Sequence, residues 1–392
     1  MFASRTSWNL EPNRLAAALE ARRAAGGEVL DLTQSNPTRC GFARNASALL
    51  RSLVHPAALH YRPEPRGLPL ARGLVAAYYN RSAGLSGEDA VPPERVLLTT
   101  STSEAYSFLF RLLLEPGEEV LVPAPSYPLF EYLAGIQDVR PVPYPLLYYH
   151  GWHIDLPSLQ AALSPRTRAV VVVHPNNPTG SYVKEAERAE LNRLCAERGL
   201  ALLADEVFLD FAFDGVPRSS FAFNQEGLTF TLSGLSKLAG LPQMKVAWMV
   251  ASGPPNVVES ALQRLEVIAD TYLSLNAPVQ LAVPGFFDLA AGFQEQAMRR
   301  IAGNVAQLDH RLEGQGPCRR LEAEGGWYAV LRVPAIRPDH DLAVDLLEQH
   351  GVLVHPGHFF DFPGEGHIVL SLITPPGEFD EGVDRILRLV CS

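Results

Sequence analysis

Short apolar runs alternate with helical patterns between about residues 95 and 250, and this rhythm constrains the fold most. The runs are uninterrupted, as expected of strands that are buried on both faces of a sheet. Strands separated by helices form a mostly parallel sheet. The runs lie at residues 96–98, 119–122, 169–173, 200–204, 230–232 and 246–250. The sequence therefore predicts an α/β domain with a mostly parallel, helix-covered sheet.

The pattern changes after about Pro278 and indicates a second, smaller α+β domain. Residues 280–313 predict long helical stretches interrupted near Pro284-Gly285, and residues 327–333 and 368–372 predict strands. The first 45 residues lack the strand–helix rhythm, and we expect them to join this unit. The predicted division is an arm at 1–45, a large domain at 46–285 and a small domain at 286–392.

The composition excludes some classes of partner. The net charge is −10 without any basic block, which disfavours binding to nucleic acid or to an anionic membrane. No apolar run reaches about 18 residues and the first residues lack a signal-peptide core, so we expect a cytoplasmic protein. The four cysteines are far apart in sequence, which predicts isolated buried thiols, with neither a disulfide framework nor a metal site.

Ligands of open parallel sheets bind beyond the carboxyl ends of the strands, so the polar residues that follow each run are candidate site residues. The first run is followed by Thr99-Thr-Ser-Thr102-Ser103-Glu104 and a predicted helix. Hydroxyl and free N–H groups at a helix N-terminus suit a phosphate. An ordinary helix cap is the alternative explanation.

Three further runs end in polar residues of different chemistry. Residues 169–173 lead into His174-Pro-Asn-Asn177-Pro-Thr-Gly180, which fixes an amide at the strand end or is simply a structural turn. Residues 200–204 lead into Asp205-Glu206, where a buried carboxylate needs a cationic or hydrogen-bonding partner. A structural ion pair is the alternative there.

The last of these runs ends at Ser236-Lys237. A buried lysine loses its proton readily and can form a Schiff base with a carbonyl compound, whereas a solvated loop lysine has no such role. A phosphate site, an amide, a buried carboxylate and a lysine together match the groups of pyridoxal 5′-phosphate (PLP).

The motifs Asn177-Pro-Thr-Gly, Asp205-Glu and Ser236-Lys237 occur in an order and spacing that resemble the class I/II, aspartate aminotransferase-like family of fold type I PLP-dependent enzymes. The resemblance implies an aminotransferase that moves an amino group between an amino acid or amine and a keto acid by Schiff-base exchange at Lys237. Asp205 would keep the pyridine nitrogen protonated, and Asn177 would bind the ring hydroxyl.

The same resemblance implies further contacts to the cofactor. Tyr127 would stack on the ring, although a packed turn tyrosine is equally compatible with the sequence. Thr102, Ser103 and Ser236 would hold the phosphate. Tyr61 matches a tyrosine that reaches the phosphate of the neighbouring subunit, which implies a homodimer.

Four positions depart from the family pattern, and they indicate an altered site. Lys245 stands where the family has a phosphate-binding arginine; it keeps the charge, and we still expect it to bind the phosphate. Phe208 replaces a tyrosine that bonds the ring oxygen. Val369 occupies the position of the arginine that binds the substrate carboxylate. Ser35 replaces a glycine beside the substrate.

Arg39, His358 and Arg332 are the remaining candidates for a carboxylate ligand. Our working hypothesis is an aminotransferase with unusual donor or acceptor specificity. A PLP-dependent lyase or decarboxylase on the same fold is one alternative, because the cofactor chemistry is shared. A non-catalytic PLP-binding regulatory protein is the other.

Overall fold

The computed structural model describes residues 1–314 and 316–391 of the chain. Its strands are β1 Leu30–Asp31, β2 Val96–Thr99, β3 Glu119–Ala124, β4 Arg140–Tyr148, β5 Trp152–Ile154, β6 Thr167–Val173, β7 Ala201–Asp205, β8 Thr229–Gly234, β9 Ala247–Ser252, β10 Arg319–Arg320, β11 Tyr328–Arg332, β12 Val352–Leu353, β13 His355–Pro356 and β14 His367–Ser371.

Helices cover the sheets and join the strands. They are α1 Arg14–Ala24, α2 Ala46–Ser52, α3 Pro69–Ala83, α4 Thr102–Leu113, α5 Phe130–Gly135, α6 Leu156–Ala162, α7 Glu185–Arg198, α8 Leu235–Leu238, α9 Pro255–Tyr272, α10 Ala277–Leu312, α11 Asp339–His350 and α12 Pro376–Val390. None of the helices in this described part of the chain combines the length and apolarity needed to cross a bilayer.

The large sheet has the strand order β2-β9-β8-β7-β6-β3-β4-β5. Strands β8, β7, β6, β3 and β4 pair in parallel, whereas β9 is antiparallel to both of its neighbours. Strand β2 consequently runs in the direction of β8. The mostly parallel sheet predicted from the apolar runs is confirmed, and each of the six runs overlaps one of its strands.

Strands β4 and β5 were not predicted, because prolines obscure the pattern of β4. Residues 140–145 of β4 pair only with β3, since β5 joins β4 at residues 146–148. Alternate N–H groups of that stretch therefore face away from any partner strand. Pro141, Pro143 and Pro145 occupy alternate positions there, where a missing N–H removes no ladder hydrogen bond.

The carboxyl-terminal part of the chain forms a four-stranded antiparallel sheet in the order β10-β11-β14-β13. Strand β1 pairs in parallel with β12, and Leu30 lies opposite Val352. The amino-terminal segment thus contributes a strand to structure formed by the carboxyl-terminal part.

Helix α10 is continuous, and the predicted interruption near Pro284-Gly285 was wrong. A Cβ atom on Gly285 would lie 2.1 Å from the Ser52 Oγ atom, so α2 packs directly against α10 at the glycine. This packing holds the helix together where Pro284 removes one backbone donor. The first half of α10 contributes Phe286 to one hydrophobic core. The second half contributes Phe293 and Ile301 to another hydrophobic core.

The prediction of isolated thiols was wrong for one pair of cysteines. The Sγ atoms of Cys318 and Cys391 lie 3.1 Å apart, although 73 positions separate the two residues in sequence. Cys318 immediately precedes β10 and Cys391 immediately follows α12, so the folded small sheet and its helix bring them together.

Candidate active site

Three neighbouring parallel strands bring the central candidate residues to one edge of the large sheet. Strands β6, β7 and β8 are adjacent, and Val173, Asp205 and Leu232 lie side by side at their carboxyl ends. Asn177 follows β6, Asp205 ends β7, and Lys237 lies in α8 directly after β8. Parallel strands therefore gather an amide, a carboxylate and an amine at the same edge.

Lys237 is enclosed by aromatic side chains. Its Nζ atom lies 5.1 Å from the centroid of the Trp327 ring and 5.7 Å from that of Phe208. Burial lowers the pKa of Lys237 to about 8, while the Asp205 carboxylate opposes that shift. At neutral pH an appreciable fraction of this side chain is therefore the unprotonated, nucleophilic amine.

Asp205 is a buried carboxylate with incomplete charge compensation. Its Oδ2 accepts a hydrogen bond from the Tyr106 hydroxyl (3.2 Å), and its Oδ1 accepts one from the Val207 N–H (3.2 Å). Burial raises the pKa of Asp205 to about 6, and these two donors together with Lys237 hold it below a still higher value. A cationic ligand group next to this carboxylate would stabilise its ionised form.

The adjacent Glu206 has a structural role. Its carboxylate accepts hydrogen bonds from the Ser220 hydroxyl (2.7 Å) and from the Phe221 N–H (2.6 Å). Burial raises its pKa to about 8. The structural alternative considered for Asp205-Glu206 thus describes Glu206, with hydrogen bonds in place of an ion pair.

The two asparagines after β6 have different surroundings. The Asn176 amide donates to the Pro125 carbonyl and accepts from the Ser126 hydroxyl, so this residue stabilises the local structure. The Asn177 side chain is also buried, but no described residue hydrogen-bonds to its amide oxygen. Asn177 therefore retains hydrogen-bonding capacity that a ligand can satisfy.

The predicted phosphate residues come from strands that reach the same edge. Helix α4 begins at Thr102 and Ser103 directly after β2, and its N-terminus is capped by Ser101, whose Oγ accepts from the Glu104 N–H (3.1 Å). The first N–H groups of a helix lack intrahelical acceptors. Ser236 lies in α8, and Lys245, which is exposed, precedes β9 with a left-handed φ of +54°.

The aromatic candidates lie in three different environments. Tyr127 follows β3 at the same edge; burial raises its pKa to about 12, and the Asp205 carboxylate adds to this shift. Phe208 is buried and packs against Trp327, with ring centroids 5.3 Å apart. Tyr61 is 82% exposed and lines a surface cavity together with Leu98 and Phe108.

The position of the expected arginine is apolar. Val369 is fully buried in β14, and its cross-strand neighbours are Val330 and His355. Burial lowers the pKa of His355, so its ring is neutral at pH 7. Tyr328 lies two residues before Val330 on β11 and pairs with Ser371 of β14. Its hydroxyl group is hydrogen-bonded to the Ser35 side chain.

None of the three cationic candidates is enclosed next to Val369. Arg39 and His358 are exposed. Arg332 is exposed at the end of β11 and donates a hydrogen bond to the His367 Nε2 atom (2.7 Å). The predicted cations therefore do not replace the arginine with a comparable buried charge.

These residues fit PLP. The unsatisfied Asn177 oxygen, the buried Asp205 carboxylate, the Lys237 amine and the α4 N-terminus correspond to a hydrogen-bonding ring substituent, a basic ring nitrogen, an aldehyde and a phosphate. The fold and this edge of the sheet thus define a fold type I PLP-dependent enzyme.

The chain belongs to the aminotransferase class I and II family, whose profile matches residues 28–386. It is therefore a PLP-dependent aminotransferase, and the predicted family, fold class and cofactor are confirmed. Enzymes of this family transfer an amino group from an amino acid to a keto acid.

Its relatives match along most of their length. A glutamate-pyruvate aminotransferase of Haemophilus influenzae is 26% identical over 377 residues, which cover 93% of this chain and 91% of the relative. An alanine aminotransferase of Mycobacterium tuberculosis is 28% identical, with 96% and 88% covered. The solved alanine aminotransferase of Pyrococcus furiosus superposes with a TM-score of 0.89 at 22% identity, with 100% of this chain and 99% of the other covered.

Sequence reasoning missed three side chains at this edge: Tyr106, Trp327 and Tyr328. Tyr106 lies on the buried face of α4, and Trp327 begins a predicted strand, so each pattern indicates only a core residue. The Gly325-Gly326 pair before Trp327 was the available signal, because adjacent glycines mark a close approach of backbones. A Cβ atom on Gly325 would lie 2.5 Å from the Phe211 carbonyl oxygen.

Proposed function

We propose that Lys237 is the residue that attaches the cofactor and then moves the proton during amino-group transfer. Bound PLP supplies an electron sink for a carbanion at the substrate. The placement of Lys237 next to Asp205 at the carboxyl ends of three parallel strands carries this proposal. A pKa of about 8 lets the side chain accept a proton and return it at neutral pH.

Further residues act on the cofactor in this proposal. Asp205 holds the proton of the ring nitrogen, with Tyr106 and Val207 fixing the carboxylate. Asn177 would hydrogen-bond to the ring hydroxyl, and Tyr127 would pack on the ring. Thr102, Ser103, Ser236 and Lys245 bind the phosphate. Phe208 packs beside the ring without supplying a hydroxyl, so the ring oxygen has one donor fewer than in the family pattern.

We propose a substrate whose group opposite Val369 is uncharged, so that simple amines serve as donors besides amino acids. The relatives are named for alanine and for glutamate and pyruvate, which carry carboxylates. Here Val369 occupies the position of the carboxylate-binding arginine, and its cross-strand neighbours are Val330 and a neutral His355. Ser35 and Tyr328 provide only neutral hydrogen-bonding groups beside it, and burying a carboxylate among such groups is costly.

A half-reaction screen tests this substrate class. The holoenzyme is mixed in turn with alanine, with glutamate and with primary amines that lack a carboxylate, and the loss of the absorbance of the lysine-bound cofactor is followed. We expect the amines to react at least as fast as alanine. Fast reaction with alanine and glutamate but none with amines would contradict the proposal. A Lys237→Ala variant is the control and should show no turnover with any donor.

We also propose a homodimer in which Tyr61 reaches the neighbouring site. Around Tyr61 the segment from Leu50 to Leu70 exposes large apolar side chains: Leu50 is 62% exposed, Val54 81%, Leu59 87% and Leu70 57%. Such a concentration of exposed apolar surface is typical of an interface. The division into an arm at 1–45 and domains at 46–285 and 286–392 also stays a proposal, with α10 crossing its second boundary.

A further inference from the structure

The amino group of Lys237 lies against two aromatic rings that also contact each other. The Trp327 and Phe208 centroids are 5.3 Å apart with an interplanar angle of 66°, and the Nζ atom lies 5.1 and 5.7 Å from them. Both distances fall within the range of about 6 Å in which an ammonium group is attracted to an aromatic face. We propose that Trp327, assisted by Phe208, is a positioning residue that holds the free amino group of Lys237 and favours its protonated form.

The surrounding core fixes the Trp327 ring. The ring is fully buried and packs against Phe211 and Phe293, with centroids 5.1 and 6.1 Å away. The backbone is held on both sides, because the Gly326 N–H donates to the Phe211 carbonyl (2.9 Å) and the Leu372 N–H donates to the Trp327 carbonyl (2.7 Å). The ring therefore offers a preformed surface to the lysine.

Three effects act on the charge of Lys237. Burial disfavours the ammonium form, while the Asp205 carboxylate on β7 favours it. Cys40 on the amino-terminal segment stays a neutral thiol in this range, because burial raises its pKa to about 11. The two aromatic faces act in the same direction as Asp205. This inference rests on the proposed role of Lys237, since an amine that takes up and returns a proton must stay in one place between the two steps.

The apoprotein allows a direct test, because the chain has only three lysines: Lys184, Lys237 and Lys245. Lysine labelled with 13C at Cε gives three resolvable signals, and a Lys237→Arg variant assigns one of them. Trp327→Leu should lower the titration midpoint of Lys237 by about 1 to 1.5 pH units, the equivalent of losing a desolvated cation–π contact. Trp327→Phe should restore most of the difference.

The sign of the shift separates positioning from simple exclusion of water. If Trp327 only buries the lysine, its removal admits solvent and the midpoint rises. Phe208→Leu provides a second variant and should lower the midpoint by a smaller amount. Phe293→Leu, which loses packing against Trp327 but has no described contact with Lys237, should leave it unchanged. A rise or no change in both Trp327→Leu and Phe208→Leu would overturn the proposal, whichever lysine carries the cofactor.

A separate observation concerns the two adjacent thiols of the carboxyl-terminal part. We propose that Cys318 and Cys391 form a disulfide that ties the end of α12 to β10. Their Sγ atoms are 3.1 Å apart, so only a small movement brings them to bonding distance. A low-molecular-weight disulfide is the oxidant: one protein thiolate attacks it and releases one thiol, and the second displaces the other, which gives one protein disulfide and two small thiols.

The two cysteines differ in accessibility, which sets the order of attack. Cys391 is partly exposed, whereas Cys318 is buried, and burial raises the pKa of Cys318 to about 12. An external disulfide reaches the partly exposed Cys391 more easily than the buried Cys318, so Cys391 reacts first. The resulting bond closes a long loop, which constrains the unfolded chain and raises stability.

Oxidised glutathione and thiol counting test the pair in the full-length holoenzyme. The number of free thiols in the denatured protein should fall from the four of the sequence to two, and a linked peptide should contain Cys318 and Cys391. The unfolding temperature should rise by several degrees. Cys391→Ser should abolish both effects, while Cys195→Ser, at a buried and distant thiol, should preserve them. Four remaining thiols, or a disulfide between chains, would overturn the proposal.

Discussion

At the scale of single residues, burial brings the pKa values of Lys237 and Asp205 closer together. The pKa of the lysine falls to about 8 and that of the aspartate rises to about 6. Each group partly stabilises the charge of the other, but neither is fully compensated by protein groups. A positively charged ring nitrogen next to Asp205 would complete this compensation. The charges of the site would therefore be better stabilised with the cofactor bound than without it.

Asp205→Asn should stabilise the apoprotein at pH 8 while it impairs cofactor function. The folded-state pKa of Asp205 lies above the value of 3.8 for an unperturbed aspartate. The native state therefore binds the proton more tightly, and stability from this group is full below about pH 4 and lost as pH rises through 6. Removing the charge should recover about 3 kcal/mol at pH 8 and nothing near pH 4.

Urea unfolding of the two apoproteins at both pH values measures this difference. Asp214→Asn, at an exposed position in the same connection after β7, is the control and should change stability at neither pH. A less stable Asp205→Asn apoprotein at pH 8 would show that the Tyr106 and Val207 hydrogen bonds outweigh the burial of the charge.

At the scale of elements, α10 illustrates a conflict between local sequence and packing. Pro284 and Gly285 both disfavour the middle of a helix, yet the helix continues from Ala277 to Leu312. The close approach of Ser52 on α2 gives Gly285 a role that no side chain larger than hydrogen can fill. Helix propensity alone therefore predicts the wrong boundary.

Gly285→Ala should destabilise the protein even though alanine is the better helix former. The new Cβ would meet the Ser52 side chain at 2.1 Å, and we expect a loss of about 1–3 kcal/mol from overpacking. Gly292→Ala, in the same helix with open space around it, should instead gain up to about 1 kcal/mol. Chemical denaturation compares the two variants.

A double variant identifies the cause of the expected loss. A Ser52→Gly background removes the Oγ and Cβ atoms at 2.1 and 2.8 Å and leaves the Cα atom of residue 52 at 3.9 Å from the new Cβ. Gly285→Ala should then carry no penalty. If the losses in stability from the two single substitutions simply add in the double variant, contact with Ser52 is not the cause of the loss from Gly285→Ala.

The elements that could be predicted from the sequence are those in which nearly every residue is buried. The strands of the central sheet are buried on both faces, so their apolar runs are continuous, and the ends of those runs led to Asn177, Asp205 and Lys237. The edge region around β4 has a mixed pattern because its prolines exploit unpaired positions. Contacts between distant segments, such as Tyr106 with Asp205 and Cys318 with Cys391, leave no periodic signal.

At the scale of the whole molecule, the exposed apolar segment around Tyr61 bears on assembly. Leu59 is 87% exposed, and Ile336, far away in sequence, is 85% exposed. Only the first lies in a segment with several exposed apolar neighbours. Isolated exposed apolar residues are normal on monomers, whereas clustered ones mark interfaces.

Sedimentation of matched variants tests the homodimer. The unmodified protein should sediment as a dimer, and Leu59→Asp should shift it toward the monomer because a charge is then buried at the interface. Ile336→Asp should leave the dimer intact. A monomeric unmodified protein, or equal effects of the two substitutions, would contradict the proposed interface.

Attachment of the cofactor to Lys237 is the central claim, and the scarcity of lysine makes it directly measurable. The holoenzyme is treated with borohydride, digested and analysed by mass spectrometry. The predicted result is a phosphopyridoxyl group on the peptide containing Lys237, with Lys184 and Lys245 unmodified. A modified Lys184 or Lys245 beside an unmodified Lys237 would contradict the account.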